Sequence, residues 1–262
     1  MNFDEKVCVV TGGANGIGRC IVEEFLKAGA YVAFDDIDTE SGEKLISKCG
    51  KEKLLFVAGD LTKEEHIIQF VEAIKSRFGH VDYLINNACT GNKGILSDVG
   101  FDDFNNVLKI KITAPYMLTK LLLDSFSPNG AIVNIASTRA FMSQPDTESY
   151  SAANGGLCVL THALSASLSG KVRVNAISPG WIDTGAYQNK ENYSPEYAEA
   201  DKRQHPAGRV GKPVDIAKMV QFLCSDAGSF IAGENIIIDG GMSKQMIYHG
   251  DGWTFHDHQK GK

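Results

Sequence analysis

Apolar runs and amphipathic stretches alternate along most of the chain. The first apolar run, residues 7–10, leads into a glycine-rich turn, after which apolar residues recur at helical spacing as far as Leu26. A second apolar run, residues 31–34, follows, and the alternation continues to about Gly241. Strand and helix patterns that alternate in this way are typical of a parallel sheet with helices on both faces. We therefore predict an α/β fold with one doubly wound parallel sheet flanked by helices.

The turn after the first strand has a phosphate-binding pattern, Thr11-Gly12-Gly13-Ala14-Asn15-Gly16-Ile17-Gly18. Glycines at G-x-x-x-G-x-G let the backbone turn tightly and approach a pyrophosphate, and the helix N-terminus offers free N–H groups to the anion. About 20 residues on, Asp35 and Asp36 end the second strand, where an acid can bind ribose hydroxyls. We predict a dinucleotide-binding site on a Rossmann-type sheet; the alternative is a glycine turn without a ligand.

Further motifs follow the later strands. They are Asp60-Leu61 after the third strand, Asn86-Asn87-Ala88 after residues 81–85, Ser137 after residues 131–136, Tyr150 at a helix start, and the loop Ser178-Pro179-Gly180-Trp181-Ile182-Asp183-Thr184. Together with the glycine turn, these motifs resemble those of the short-chain dehydrogenase/reductase family over almost the whole chain. Cys89 stands where the family motif N-N-A-G has its last glycine, and we expect a small buried side chain there.

The resemblance implies hydride transfer between a nicotinamide cofactor and the carbon of an alcohol or carbonyl group. In the family a tyrosine is the general acid and base and a serine binds the substrate oxygen; these roles fall on Tyr150 and Ser137. The implied cofactor-binding positions are Gly12, Asn15, Gly16, Ile17, Gly18, Asp36, Ile37, Asp60, Leu61, Asn87, Ala88, Lys111, Tyr150, Pro179, Gly180, Ile182 and Thr184.

Asp36 decides which cofactor we expect. It stands where NAD-dependent family members have the acid that accepts hydrogen bonds from the adenosine ribose. A 2′-phosphate at about 4 Å from that carboxylate would be repelled by about 4 kcal/mol at an effective dielectric constant near about 20. We therefore predict NAD, with NADP as the alternative. Arg19, the nearby cation, is expected to face solvent.

The chain departs from the family at two catalytic positions. The family motif Y-x-x-x-K is Tyr150-Ser151-Ala152-Ala153-Asn154 here, so the lysine that lowers the pKa of the tyrosine is missing. On the facing helix, Lys111 replaces the family asparagine. Its neighbours at helical spacing predict that it points inward, whereas Lys109 is expected on a solvated face; those neighbours are Val107, Leu108, Ala114, Pro115 and Leu118.

Two interpretations of this exchange remain open. In the first, Lys111 places its ammonium near Tyr150 and the cofactor ribose, while Asn154 orders the water that the family asparagine holds. In the second, the change at Asn154 is disabling, Lys111 extends to solvent along its stem, and the protein is a catalytically silent NAD(H)-binding regulator. We favour the first because the loss of one lysine would not by itself predict a lysine at the facing position.

Composition and charge exclude several classes of function. The 262 residues, 43% of them hydrophobic, can form one domain, predicted at residues 1–243 with a lid segment at 185–208 and a C-terminal tail at 244–262. A net charge of −6 without a basic cluster argues against nucleic-acid and anionic-membrane partners. The N-terminus has no signal-type apolar core, and no run of 18 apolar residues could span a membrane.

Cysteine and histidine usage points to a reduced, metal-free protein. The six cysteines are scattered without a C-x-x-C pair, which indicates free thiols, and we expect a cytoplasmic protein. His256-Asp257-His258 lies in the polar tail without a third spaced ligand, so we interpret it as a flexible end or a partner contact.

The sequence narrows the substrate to a few classes and the oligomeric state to two. The lid segment holds Tyr187, Tyr193, Pro195 and Tyr197 without a single-sign charge cluster, which suits a sugar, a polyol or an alicyclic alcohol; a steroid or a xenobiotic carbonyl remains open. Asp36 and the lack of a basic patch disfavour an NADPH-dependent acyl-chain reductase. The resemblance implies a homodimer or homotetramer that pairs through helices at 101–126 and 149–169 and through the strand at 235–239. Leucines of those helices favour such a contact.

Overall fold

The strands form one parallel sheet. A computed structural model describes residues 1–91, 93–190 and 192–246. Within those ranges the strand order is β3-β2-β1-β4-β5-β6-β7, and every neighbouring pair is parallel. The strands are β1 (Val7–Thr11), β2 (Tyr31–Asp36), β3 (Leu54–Ala58), β4 (Val81–Asn86), β5 (Phe126–Ile135), β6 (Val172–Pro179) and β7 (Asn235–Ile238). The predicted α/β Rossmann-type fold is confirmed.

Helices cover both faces of this sheet. They are α1 (Gly16–Lys27), α2 (Thr39–Cys49), α3 (Glu64–Phe78), α4 (Phe101–Leu108), α5 (Ala114–Leu122), α6 (Glu148–Ser167), α7 (Glu199–Arg203) and α8 (Pro213–Cys224). Successive strand residues point to opposite faces, so Val10 packs with residues of α1 and α8, and Val9 packs with residues of α3 and α5. The alternation of strand and helix along the sequence thus produces two apolar layers on one sheet.

The strand order reverses direction between β1 and β4. β2 and β3 lie on one side of β1, whereas β4 to β7 lie on the other. In open parallel sheets the crevice beyond the carboxyl ends of the strands at such a point is where ligands bind. The glycine turn after β1 and the asparagine motif after β4 therefore meet at one crevice.

The helix predicted at residues 101–126 is interrupted. α4 ends at Leu108, a π-helical turn occupies Lys109–Thr113, and α5 begins at Ala114 and ends at Leu122. A 3-10 turn (Leu123–Ser125) follows, and β5 starts at Phe126. The predicted helix therefore extended a few residues too far toward the C-terminus. Pro115 has no N–H to donate to the carbonyl of Lys111 four residues earlier, and this break in the α-helical ladder accompanies the π turn.

The remaining boundaries agree closely with the sequence pattern. The helix predicted at 149–169 is α6, and the strand predicted at 235–239 is β7. Among the described residues, no helix is long and apolar enough to cross a membrane. The division into a domain at 1–243 and a tail at 244–262 stays a prediction, and His256-Asp257-His258 lies outside the described residues.

Candidate active site

The glycine turn has the backbone geometry of a phosphate cradle. Gly12 has a positive φ of 63°, and a Cβ there would come within 2.9 Å of the Ala88 Cα. A Cβ at Gly18 would lie 2.0 Å from the Gly12 carbonyl oxygen. Only glycine fits these two positions, and the N-terminus of α1 at Gly16 is directed at the same crevice.

Hydrogen bonds lock the turn to the end of β4. The Asn87 side-chain amide donates to the carbonyls of Thr11 and Gly12, both at 3.0 Å. The Thr11 hydroxyl accepts the backbone N–H groups of Asn87 at 2.9 Å and Ala88 at 3.0 Å. This accounts for the asparagine in the motif, because its amide donates to backbone carbonyls that the tight turn leaves without a backbone partner.

Asp36 is held at the end of β2 by backbone donors. Its carboxylate accepts the N–H of Ala14 at 2.9 Å and the N–H of Asp38 at 3.0 Å. Arg19 does not face solvent as expected; its side chain is only 17% exposed and pairs with Glu23 at 3.2 Å. The cation nearest in sequence to the turn therefore already has an acidic partner.

One cleft collects most of the predicted cofactor-binding residues. Its volume, about 410 Å³, lies in the range of small-molecule sites. It is lined by Gly12, Asn15, Gly16, Ile17, Asp36, Ile37, Asp60, Leu61, Asn87, Ala88 and Thr184. Six residues outside the predicted cofactor-binding set also line it: Asp35 and Cys89, which the sequence motifs had marked, and Gly59, Thr90, Ile110 and Gln188. Gly18 does not line it, because Gly18 is buried in the contact between α1 and the turn.

A smaller cavity of about 140 Å³ holds the catalytic candidates. Lys111, Ser137, Tyr150, Pro179, Gly180 and Ile182 line it, and it shares Ile17, Asn87 and Cys89 with the larger cleft. The two cavities are therefore contiguous. Asn154 is fully buried and does not line the cavity. All sequence-predicted site residues except Gly18 and Asn154 therefore line one of the two cavities.

Lys111 points inward, as its helical neighbours predicted, and does not extend to solvent. The residue is 2% exposed, and its Nζ donates to the Ile135 carbonyl at 2.7 Å. Burial lowers its pKa, while the thiols of Cys89 and Cys158 act in the opposite direction. Lys109 is exposed, also as expected. The π turn contains both lysines, and π turns of this kind occur often at functional sites.

Tyr150 and Ser137 line the same cavity as Lys111. Burial, followed by the Cys89 thiol, raises the pKa of the Tyr150 phenol; the nearby Ser137 hydroxyl, the Asn154 amide and the Arg139 guanidinium act to lower it, without reversing the shift. The Asn154 amide nitrogen donates to the Tyr150 carbonyl at 2.8 Å, and its Oδ1 is buried without a partner among the described residues. Such an acceptor is a natural anchor for an ordered water.

Two features of this wall were not predicted. Cys89 is exposed and lies where the cleft and the catalytic cavity join, so the expectation of a buried side chain was wrong. Its strand has ended at Asn86, which places position 89 in the crevice rather than in the sheet. Arg139, in the turn after Ser137, contacts the Gln144 amide and has a buried Nη1 without a partner among the described residues. The asparagine motif marked position 89 but not its exposure, and no sequence motif marked Arg139.

Asp183 anchors the lid segment. One carboxylate oxygen accepts the Gly185 N–H at 2.9 Å and the Tyr193 hydroxyl at 2.6 Å, and the other accepts the Tyr197 hydroxyl. Trp181 packs edge-on against Tyr197. Burial opposes ionisation of Asp183, but these hydrogen bonds outweigh it and hold the pKa of the carboxyl below its usual value.

An Asp183→Asn substitution is expected to speed hydrogen exchange of the lid amides about tenfold, because the neutral amide gives the two hydroxyls a weaker acceptor. The folded pKa lies below the unfolded one, so wild-type protection should be present above the ordinary aspartate pKa and be lost only as pH falls through the lower value. Exchange corrected for its intrinsic pH dependence measures both effects. Asp215→Asn, at the start of α8, is the matched control; lid exchange unchanged by Asp183→Asn would contradict the anchor.

The residues that surround the cleft fit a dinucleotide. The glycine turn leaves room for a ligand close to the backbone, the N-terminus of α1 offers N–H groups, and Asp36 contributes a carboxylate to the lining. Among the described residues, no cluster of His, Cys, Asp or Glu could hold a metal ion. The chemistry of this donor set is that of nucleotide binding.

Comparisons with known proteins agree with this geometry. A family model described as enoyl-(acyl carrier protein) reductase matches residues 12–243. The crystal structure of a short-chain dehydrogenase/reductase of the glucose/ribitol dehydrogenase type from Brucella melitensis superposes with a TM-score of 0.83 at 30% identity, over 94% of this chain and 100% of that one. The chain belongs to the short-chain dehydrogenase/reductase family.

Two further structures place it within this family. An apo SCOR enzyme from Clostridium thermocellum matches with a TM-score of 0.86 at 44% identity, over 95% of this chain and 97% of that one. A 3-ketoacyl-(acyl-carrier-protein) reductase from Brucella melitensis, solved with NADH, matches with a TM-score of 0.81 at 32% identity, over 92% and 100%. This short-chain dehydrogenase/reductase is thus a nucleotide-binding, NAD(P)-dependent oxidoreductase.

Proposed function

We propose that this protein is an NAD(H)-dependent oxidoreductase that interconverts a secondary alcohol and a carbonyl compound of the sugar, polyol or alicyclic alcohol class. One observation carries the proposal: Ser137, Tyr150 and Lys111 line one cavity, and this cavity continues into the cleft that contains Asp36. When bound, the nicotinamide supplies or accepts the hydride. The protein's residues must therefore orient the substrate oxygen and move its proton.

Tyr150 is the proposed general acid and base, and Ser137 the residue that binds the substrate oxygen. A base at Tyr150 requires a phenolate, and lowering a tyrosine pKa from about 10 toward about 7 needs roughly 4 kcal/mol of preference for the charged form. An ammonium at about 4 Å provides roughly this amount at an effective dielectric constant of about 20. The asparagine at position 154 has no charge with which to provide it.

Lys111 is the proposed source of that charge. Its Nζ donates one hydrogen bond, to the Ile135 carbonyl, and an ammonium has three N–H donors. Two donors thus stay available for a ribose hydroxyl and for a water or phenolate at Tyr150. The buried, unpartnered Oδ1 of Asn154 supports a complementary role in ordering that water.

NAD is the proposed cofactor because Asp36 is fixed by two backbone donors and Arg19 is paired with Glu23. An Asp36→Ala variant is expected to lose at least about tenfold of the NADH-over-NADPH preference, since the repulsion of a 2′-phosphate disappears with the carboxylate. Dissociation constants from quenching of tryptophan fluorescence measure this preference. An unchanged ratio of the two constants would contradict the assignment of Asp36, and Asp38→Ala is the neighbouring control.

The rival proposal is a catalytically silent NAD(H)-binding regulator. The cofactor cleft would serve a regulator equally well, whereas the placement of Lys111, Ser137 and Tyr150 in one cavity favours catalysis. Screening sugars, polyols and alicyclic alcohols for NADH formation separates the two. Turnover that Tyr150→Phe abolishes supports the enzyme; binding of NADH without turnover on any of these classes, oxidised or reduced, supports the regulator.

The substrate class rests on the lid and on charge. Tyr193 and Tyr197 bring hydroxyls and aromatic rings to the lid, and both are held by Asp183. A net charge of −6 disfavours an acidic acyl-carrier protein as a partner. The glucose/ribitol name of the Brucella melitensis relative agrees with a polyol. We do not propose nucleic-acid or membrane partners.

We also propose a homodimer or homotetramer in the cytoplasm, where its free thiols would stay reduced. The leucines expected to favour a subunit contact instead pack in the chain's own core, as Leu118, Leu122 and Leu164 show. The exposed apolar side chains on the same helices are Phe101, Phe104, Tyr116 and Val159. These four support pairing through α4, α5 and α6.

A further inference from the structure

Asp35 is a buried acid that lines the cofactor cleft. It lies at the end of β2 beside Asp36 and is 2% exposed. Because consecutive strand residues point to opposite faces, the two carboxyl groups leave the strand in different directions. Asp36 is satisfied by the N–H groups of Ala14 and Asp38, whereas Oδ1 of Asp35 has no hydrogen-bond partner among the described residues.

None of the described residues that line the cleft with Asp35 carries a positive charge. Its register partners are Thr11 on β1 and Val57 on β3. The titratable groups of the cleft lining are Asp36, Asp60 and Cys89, and no Lys, Arg or His belongs to the described part of that lining. Beside this lining, the His66 ring nitrogen Nδ1 accepts the Asp60 N–H at 2.8 Å.

A carboxylate buried without a cation is costly, so such a group takes up a proton instead. Burial raises the pKa of Asp35 well above its usual value, and the negative charge of Asp36 adds to the shift; the backbone N–H groups of Gly12 and of Asp35 itself act in the opposite direction without reversing it. A protonated carboxyl can donate a hydrogen bond, which an ionised one cannot. The neighbouring acids would therefore differ in what they offer: Asp36 accepts two backbone N–H groups, whereas a protonated Asp35 would be a donor.

We propose that Asp35 is a second adenosine-binding residue, which donates a hydrogen bond from its protonated carboxyl to a ring nitrogen or ribose oxygen of the cofactor. This inference rests on the proposed NAD site, since it requires an adenosine in the cleft beside Asp36. Adenosine ring nitrogens and ribose oxygens are acceptors, which matches a donor. The pair of acids would then fix the adenosine from two sides with opposite hydrogen-bond polarity.

Infrared difference spectroscopy tests the protonation state directly. ADP-ribose is the probe, because it carries the adenosine half of the cofactor and no nicotinamide. We expect a carboxylic-acid C=O band that shifts when ADP-ribose binds and that is absent from Asp35→Asn but retained in Asp36→Asn. The proposal is overturned if no such band depends on Asp35, or if that band does not move on binding.

Binding affinity gives a second, independent readout. Asp35→Asn keeps a neutral donor and should bind ADP-ribose within about threefold of the wild type, whereas Asp35→Ala should bind about five- to tenfold more weakly. Raising pH should weaken binding to the wild type more than to Asp35→Asn. Equal affinity of the wild type and the alanine variant would overturn the proposal.

The two hypotheses fail separately. If NADPH binds as tightly as NADH while the Asp35 band still shifts with ADP-ribose, the NAD preference is wrong and the inference on Asp35 stands. If NADH is preferred but the band is insensitive to ADP-ribose, only the inference on Asp35 is wrong. Should Asp35→Ala fail to fold, the infrared comparison with Asp35→Asn still decides.

Discussion

Replacement of Tyr150 by phenylalanine is expected to lower kcat by about 10³-fold and to leave NADH binding within a few-fold of the wild type. A positioned acid or base contributes about 10²- to 10⁴-fold, and Tyr150 is the hydroxyl that the cavity places beside Ser137 and Lys111. The substitution removes one oxygen and keeps the ring that packs in the wall. Steady-state turnover with the best alcohol from the screen, together with NADH titration, measures the two effects.

Matched controls separate chemistry from packing. Tyr116→Phe removes a hydroxyl from an exposed tyrosine on α5 and should change neither quantity. Ser137→Ala should lower kcat by about 10²-fold, because it removes the proposed partner of the substrate oxygen. Equal turnover of Tyr150→Phe and the wild type would contradict the role of Tyr150.

Replacement of Lys111 by alanine is expected to lower kcat for alcohol oxidation at pH 7 by about 10²-fold or more and to move the acidic limb of the pH–rate profile to higher pH. The reason is electrostatic: burial already raises the pKa of Tyr150, and the variant removes the ammonium that we propose stabilises the phenolate when the cofactor is bound. The loss should diminish as pH rises toward the ordinary tyrosine pKa, about 10. A pH–rate profile of the wild type and the variant measures the shift.

Exchanging the residues at positions 111 and 154 distinguishes a functional exchange of lysine and asparagine from a general loss of activity caused by the substitution. Lys111→Asn alone should behave like Lys111→Ala, whereas the double variant with Asn154→Lys restores the arrangement usual in the family. We expect the double variant to recover at least about tenfold in kcat over Lys111→Asn, a gain of roughly 1.4 kcal/mol. Lys109→Ala, on the exposed side of the same turn, is the control. A double variant no better than the single one would contradict the exchange.

The fold was predictable because the patterns that define it are local. Continuous apolar runs identified β1 and β2, and the 3.6-residue period identified α1, with small boundary errors. The range of α6 came from the family resemblance. The sequence alone could assign the glycine turn, Asp36 and the asparagine motif to one site, because parallel strands bring their carboxyl ends to the same edge of the sheet. The inward direction of Lys111 followed from the apolar residues at helical spacing around it.

The features that escaped prediction depend on contacts between distant parts of the chain. The π turn at Lys109–Thr113 has no periodic signature, although Pro115 was a local sign of a break. Cys89 was assigned to the core from its residue type, but the strand had already ended. The leucines assigned to a subunit contact are covered by the chain's own strands and helices. The isolation of Asp35 from any cation is a property of the assembled cleft.

The central claim is that Lys111 replaces the missing lysine as the charge that ionises Tyr150. Ultraviolet difference titration of the NAD-bound protein measures phenolate directly, with Tyr150→Phe and Lys111→Ala as comparisons. We predict a Tyr150-dependent phenolate signal well below the ordinary tyrosine pKa of about 10, which moves upward in Lys111→Ala. A titration that is the same with and without Lys111, or that lacks any Tyr150-dependent signal below that value, would contradict the claim.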